Sequence, residues 1–401
     1  MNILFLSHRF PFPPNRGDRI RSYNIIKFLS QRHNIFLASV DDEPFPSQRK
    51  AEVEQFCKTF KIVKLNQSVK KIRALLTLPT TVPLTLPMFK SYKMRRYIDK
   101  LIATNNIDII FIYCVAMAQY VTSHTHIPKV IDFIDCDSQK WIDYAGTASF
   151  PWNLIYRREG KFLRRYEQKV ASVCKHAFVT SEREAEIFKQ YPDICEITTV
   201  TNGISCPYKR LRRSHKSKSS SSPNLIFVGV MDYWPNIDAV TYFVKEIWPK
   251  VRSEIPSASF TIVGKNPTPQ VQALADIPGV KVTGTVPNVK KYLFSATLCV
   301  LPLRIARGVQ NKMLEAMCMK IPVVATTAAS AGISARVGRD FLMADNPDDF
   351  AGSIIRLIRD SDFRQKIAEN AYNFVKTFHD WDKNLKVMED IMMQIVSSSQ
   401  R

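Results

Sequence analysis

A chain of 401 residues exceeds what one compact core organises and divides most simply into two domains of about 150 to 200 residues. Hydrophobic residues at 45% and charged residues at 23% are ordinary globular values, which exclude a disordered or fibrous chain and confine function to a site. The net charge of +21 is lopsided: residues 1–223 hold 36 Lys+Arg against 19 Asp+Glu, or +17, and the rest hold 21 against 17, or +4.

The chain opens on an apolar run, residues 2–8, with no basic segment before it and no small-residue cleavage site after it, so the reading predicts a cytoplasmic protein. Short apolar runs then alternate with stretches of helical length, the pattern of a parallel sheet covered by helices. The first half offers strands at 3–7, 35–40, 62–65, 108–113, 130–134, 177–180 and 197–200. The first strand ends in Ser7-His8, before a proline-rich loop, Gly17 and a helix that Asp18 is placed to cap. Arg16, Arg19 and Arg21 add positive charge there. Beyond strand 130–134 the carboxylates of Asp132, Asp135 and Asp137 should emerge at the strand end, where one could position an acceptor hydroxyl or take its proton. Capping of a helix near Ser138 is the plainer role for Asp137. A long basic helix follows over 154–173, with Glu159 and Glu167 read as internal salt-bridge partners of its arginines.

The division predicted is a first domain over 1–208, a basic, serine-rich linker over 209–223 and a second domain over 224–380. Strands are expected at 225–230, 260–263, 280–286, 298–303, 323–326 and 341–344. Gly229 ends the first of these as a phosphate-approach glycine would, and Asn236 is placed to cap the next helix. Strand 298–303 leads through Arg304 and Gly308 into a helix over 309–319. In an open α/β sheet that is where ligands bind: Gly308 lets the backbone approach, and free N–H groups from Val309 onward can hold an anion. Lys312 and Glu315 share a face one turn apart, which fits a phosphate at Lys312 and the vicinal hydroxyls of a ribose at Glu315, although on spacing alone an ordinary helix-surface pair is the plainer reading. Arg304 is placed for a second phosphate contact. The last helix, about 381–397, carries Leu385, Met388, Ile391, Met392 and Val396 on a face that needs a partner, which the first domain can supply.

Eight cysteines show no C-x-x-C pair and the seven histidines no ligand spacing, so reduced thiols and no metal are expected. No run of about 18 apolar residues occurs, which leaves only peripheral membrane contact. An N-terminal half this basic calls for an anionic neighbour, and the inner leaflet of the cell membrane suits it best. Nucleic acid is not expected, because no zinc-finger, RNP or basic-zipper pattern accompanies the charge.

The run Gly308-x-x-x-Lys312-x-x-Glu315-Ala316-Met317-x-x-x-Ile321-Pro322-Val323-Val324-Ala325 resembles the donor-site signature of GT4-family glycosyltransferases. The nearest likeness is to the sugar transferase group associated with PEP-CTERM/exosortase systems. It is carried by Pro11-Phe-Pro-Pro-Asn-Arg-Gly-Asp18, Asp132-Phe-Ile-Asp-Cys-Asp-Ser-Gln-Lys-Trp141, Met231-Asp-Tyr-Trp-Pro-Asn236 and Ile305-Ala-Arg-Gly308. The resemblance implies a GT-B fold of two Rossmann-like α/β/α domains facing a central cleft, with no bound cofactor or metal. It also implies a UDP- or GDP-sugar donor on the second domain and retaining transfer to a glycan or lipid-linked acceptor on the first, in exopolysaccharide or cell-surface glycan synthesis. On that pattern His8, Gly17 and Arg21 lie at the cleft floor, and Gly284 and Val286 give backbone contacts to the base. Related sequences often carry a histidine where this chain has Ile134, so catalysis is assigned to the neighbouring carboxylates of Asp135 and Asp137 from their place at the strand end. Two positions depart from it: Arg307 stands where the family places a first glutamate, and Lys320 where glycine is common. A catalytically silent nucleotide-sugar-binding subunit and, behind it, a nucleotide-sugar epimerase are the alternatives.

Overall fold

The computed structural model describes residues 1–14, 17–41, 50–204, 222–306 and 308–399, the side chain of Asp18 excepted. The linker expected at 209–223 lies outside the described residues as far as 221, as do Arg16 and Arg307. The chain forms two compact units, Met1–Thr201 with the residues from Asp382 onward, and Asn202–Trp381.

The first unit is built on a sheet of β1 (Asn2–Ser7), β2 (Asn34–Asp41), β3 (Thr59–Lys64), β4 (Ile109–Tyr113), β5 (Lys129–Ile134), β6 (His176–Val179) and β7 (Glu196–Thr199). Its order is β3-β2-β1-β4-β5-β6-β7, every pairing parallel. The strands read as near-continuous apolar runs because helices cover both faces; Ile3, Leu4, Phe5 and Leu6 are all fully buried. The helix Trp381–Ser399 lays Leu385, Met388, Met392 and Val396 inward, with Ile391 half-buried. Its buried Glu389 accepts from Arg32 Nε at 2.8 Å and Nη2 at 3.0 Å, and His33 Nε2 lies 2.9 Å away.

The second unit carries β8 (Asn224–Val228), β9 (Ser259–Val263), β10 (Val280–Val282), β11 (Leu298–Leu301), β12 (Val323–Ala325) and β13 (Leu342–Met343), in the order β10-β9-β8-β11-β12-β13, again parallel. In both sheets the order reverses beside the first strand, between β1 and β4 and between β8 and β11. Connections there leave in opposite directions and open a crevice at the carboxyl ends of the strands. The positive φ of Gly284 (+67°) follows the end of β10 at Val282, so the strand is shorter than the run 280–286 suggested.

One departure from the family pattern bears on the backbone, and two expectations need correction. Lys320 adopts φ +58°, so the position does use the left-handed conformation that favours glycine; its ammonium is held by Glu369 and lies over the ring of Tyr372. Glu159 and Glu167 both point inward: Glu159 does pair with Arg158, at 3.8 Å, whereas Glu167 makes no ion pair among the described residues. Glu159 accepts from the backbone N–H groups of Leu84 (2.6 Å) and Thr85 (2.9 Å), and Glu167 from that of Ser138 (3.0 Å), orphan donors that burial would otherwise leave unpaired. Cys318 is disulfide-bonded, so the thiols are not all reduced; those of Cys57, Cys114, Cys136, Cys174, Cys195 and Cys299 are free. Among the described residues no helix is long and apolar enough to cross a membrane.

Candidate functional site

The crevice between β8 and β11 gathers six of the eight residues that the sequence reading assigned to the donor: Gly229, Arg304, Gly308, Val309, Lys312 and Glu315. Gly229 follows β8 directly, and Arg304 and Gly308 lie on the loop after β11. The helix Asn311–Cys318 then starts from Gln310 without a side-chain cap. Val309 therefore precedes the helix expected to begin with it. Gly308 has φ +61°, which only glycine adopts without strain, and Gly332 packs so tightly behind it that an added Cβ would lie 2.2 Å from the Gly308 carbonyl oxygen.

Lys312 stands in the first turn of this helix. Its ammonium donates to Asn236 Oδ1 at 2.6 Å and sits 4.4 Å from the centroid of the Phe227 ring. Burial pushes its pKa down to about 8, against the pull of Glu315. A Cβ on Gly229 would come within 3.2 Å of that nitrogen, so the lysine reaches over bare backbone. A half-buried ammonium, helix N–H groups without a side-chain cap and bare glycine backbone are chemically suited to an anion such as a phosphate group. One turn on, the carboxylate of half-buried Glu315 makes no hydrogen bond or ion pair among the described residues. Its pKa is raised by burial, with Lys290 and Lys312 opposing.

Arg304 is less free than expected. Its Nε donates to Asp238 at 2.9 Å, a second nitrogen bonds the other carboxylate oxygen, and the guanidinium lies 4.9 Å from the Tyr242 ring centroid. The planar fork is thereby fixed against the helix Trp234–Tyr242, leaving only its outer edge for a ligand. Asn236 lies inside that helix and so does not cap it; besides binding Lys312 it donates from Nδ2 to the Val230 carbonyl at 2.9 Å. Its role as the lysine's partner, and the roles of Gly264 and Gly332 behind the glycine turns, carried no signal in the sequence. An added Cβ on Gly264 would overlap the Gly229 carbonyl, yet close backbone approach leaves no periodic pattern. Gly284 and Val286 lie on the loop beyond β10, outside this cluster of contacts.

In the first unit Ile134, at the end of β5, has φ +71°, a conformation costing a β-branched residue roughly 1–3 kcal/mol. The strand pairing shifts register there, and the turn sets up Asp135, which accepts from Thr180 Oγ1 at 2.9 Å. Burial raises the pKa of Asp135, with that hydrogen bond opposing; burial raises Asp137 likewise, with Lys140 opposing. Asp137 lies within the first turn of the helix Asp137–Thr147, whose N-cap is Cys136, so it is not the cap. His8 stacks on Tyr113 and meets the edge of Phe89, each at 5.8 Å between centroids. Gly17 begins the helix Gly17–Leu29. Arg21 is a correction: at 1% exposure it donates to Asp132 at 2.7 Å and to the Val200 carbonyl at 2.8 Å, so it braces strand ends and does not offer charge to a ligand. Among the described residues no group of three or more His, Cys, Asp or Glu side chains could hold a metal ion.

Residues 222–360 match the family described as Glycosyl transferases group 1, a span that includes the whole β8–β11 crevice. An uncharacterized glycosyltransferase of Methanocaldococcus jannaschii is 32% identical over 92 residues, 22% of this chain; the chain spans 24% of that relative's length. Among solved structures, sucrose-phosphate synthase from Thermosynechococcus elongatus matches with a TM-score of 0.71 at 14% identity, covering 99% of this chain and 100% of that one. Anabaena HepE in complex with UDP-glucose matches with a TM-score of 0.67 at 16% identity, covering 99% and 100%. The fold is therefore GT-B, with two parallel-sheet α/β domains.

Proposed function

We propose that this protein is a glycosyltransferase that moves a sugar from a UDP- or GDP-sugar to a glycan or lipid-linked acceptor. The observation that carries the reading is the Lys312–Glu315 turn at the switch point of the second sheet, inside the segment that matches the glycosyl transferases. The Lys312 ammonium and the N–H groups at the start of its helix hold the diphosphate. Glu315 accepts from the ribose hydroxyls one turn further along. As the bond from sugar to phosphate breaks, charge builds on the departing diphosphate, and fixed donors stabilise it there most. Asp135 and Asp137 act on the acceptor hydroxyl, their raised pKa values bringing them nearer the range of a working base. His8 and Gly17 line the acceptor side. Retention of configuration, a GT4-like specificity for hexosyl groups, a role in PEP-CTERM-associated exopolysaccharide synthesis and a place on the inner face of the cell membrane complete the reading.

The test is a thermal-shift screen against UDP, GDP, ADP and CDP sugars. One nucleotide class should raise the transition, and Glu315→Ala should abolish the response. No response to any class, or an unchanged response in the mutant, would sink the ribose assignment. Arg307 in place of the family's first glutamate favours a second reading, a silent binding subunit. Donor binding without transfer to any acceptor in a membrane extract would select it.

A further inference from the structure

The helix Gln67–Leu76 is turned inside out. Val69, Ile72 and Leu76 recur at helical spacing with Leu75 beside them, a stripe that a helix packed on a core would bury. Here Ile72, Leu75 and Leu76 are 59%, 66% and 71% exposed and Val69 is exposed too. Lys70 is the residue turned inward, 6% exposed, its ammonium 5.2 Å from the Phe89 ring centroid. Exposing the aliphatic side of a helix while burying its lysine is unfavourable in water, and a face of this kind marks a contact surface.

A second exposed apolar group adjoins it. Phe150, Trp152 and Leu154 stand at the start of the long helix Trp152–Val173. Leu154 lies one turn before Arg158 on the same side. Arg158 donates to the carbonyls of Thr77 (2.7 Å), Leu78 (2.8 Å), Thr80 and Val82 (3.0 Å), the segment that leads out of the inverted helix. The two apolar groups are therefore parts of one face of the first unit. Beyond Leu154 the outer side of the long helix turns cationic: Arg157, Lys161, Arg164 and Arg165 line a cavity of about 380 Å³ with Ile142 and Gln168. Among the described residues none of these four cations is paired with a carboxylate; Arg164 lies over Tyr191 and Arg165 over Phe162.

We propose that this face docks on an anionic lipid bilayer. Ile72, Leu75, Leu76, Trp152 and Leu154 enter the acyl boundary, and the cations of the long helix sit among headgroup phosphates. Apolar side chains with unpaired cations beside them, on a half-chain of charge +17, match a surface that is itself apolar beneath an anionic layer. The inference rests on the membrane location in the function proposed above and names the surface that achieves it; it does not depend on the donor chemistry.

The experiment floats the full chain with vesicles of phosphatidylcholine alone and with vesicles also containing phosphatidylglycerol. The wild type should float with the anionic vesicles only. The triple variant Ile72→Ser/Leu75→Ser/Leu76→Ser and the triple variant Arg157→Glu/Lys161→Glu/Arg165→Glu should each lower the partition coefficient at least about tenfold. Their melting and their response to nucleotide sugars should stay at wild-type values, which separates lost docking from lost folding. A wild type that stays unbound, or a serine variant that floats equally well, overturns the proposal. So does a wild-type dimer that the serine substitutions turn into monomer, since a second copy would then be the occupant. Flotation of a chain that answers no nucleotide sugar would support docking and count against the transfer reading.

Discussion

Lys312 owes its character to its surroundings. The same residue on an open helix face would titrate as an ordinary lysine; here burial brings its pKa to about 8. Bound diphosphate would raise that value again, so binding takes up a proton wherever the free lysine is neutral. Donor affinity should therefore be flat below about pH 7.5 and fall as pH rises through 8, by up to about tenfold per pH unit. Calorimetric titration of UDP in buffers of different ionisation enthalpy reads both effects, and Lys312→Met should remove them. Gly229 tests the same geometry from the backbone side. In Gly229→Ala the new Cβ would lie 2.7 Å from Asn236 Nδ2 and 3.2 Å from Lys312 Nζ, so the ammonium must retreat. Donor affinity should drop roughly ten- to a hundredfold with little change in melting, because the displacement falls on the site and not on the core.

At the scale of elements, the helix Trp152–Val173 serves two neighbours: Glu159 holds the 84–85 backbone and Glu167 holds the start of the helix Asp137–Thr147, while cations fill the outer side. Glu167 is fully buried, and desolvation raises its pKa to about 7 even though Ser138 and Tyr191 donate to it. A folded-state value above the unfolded one means the native protein binds the extra proton. That contribution to stability is complete below about pH 4.5 and is lost as pH rises through 7. Glu167→Gln keeps an acceptor for Ser138 and removes the titration; denaturant melts from pH 5 to pH 8 should show a smaller loss of stability than the wild type. Gly160 sets how closely this helix meets Asp137–Thr147: an added Cβ would lie 2.7 Å from Ile142 Cγ1 and 3.0 Å from the Ser138 carbonyl. Gly160→Ala should cost about 1–3 kcal/mol in the same melts.

For the molecule as a whole, two sheets of the same order over six strands place two crevices, each beside its sheet's first strand, and the function proposed above divides its chemistry between them. Hydrogen exchange with bound UDP should show its strongest protection at 229–236 and 309–315; strongest protection in the first unit would contradict the division. Much of this was legible in the sequence. Unbroken apolar runs with helical stretches between them signal parallel strands because both faces of such a sheet are covered. The turn at Gly308 and the placing of Lys312 and Glu315 one turn apart on the helix after it were legible because helical spacing and residue type are both local. What only the tertiary structure decided depends on distant partners. Arg21 meets Asp132 and Val200, Arg304 meets Asp238, and Asn236 meets Lys312 across 76 positions of sequence. The glutamates of the long helix and the stripe of Gln67–Leu76 reverse what their own periodicity suggests. Spacing says which side chains share a face, but only packing says which face turns inward.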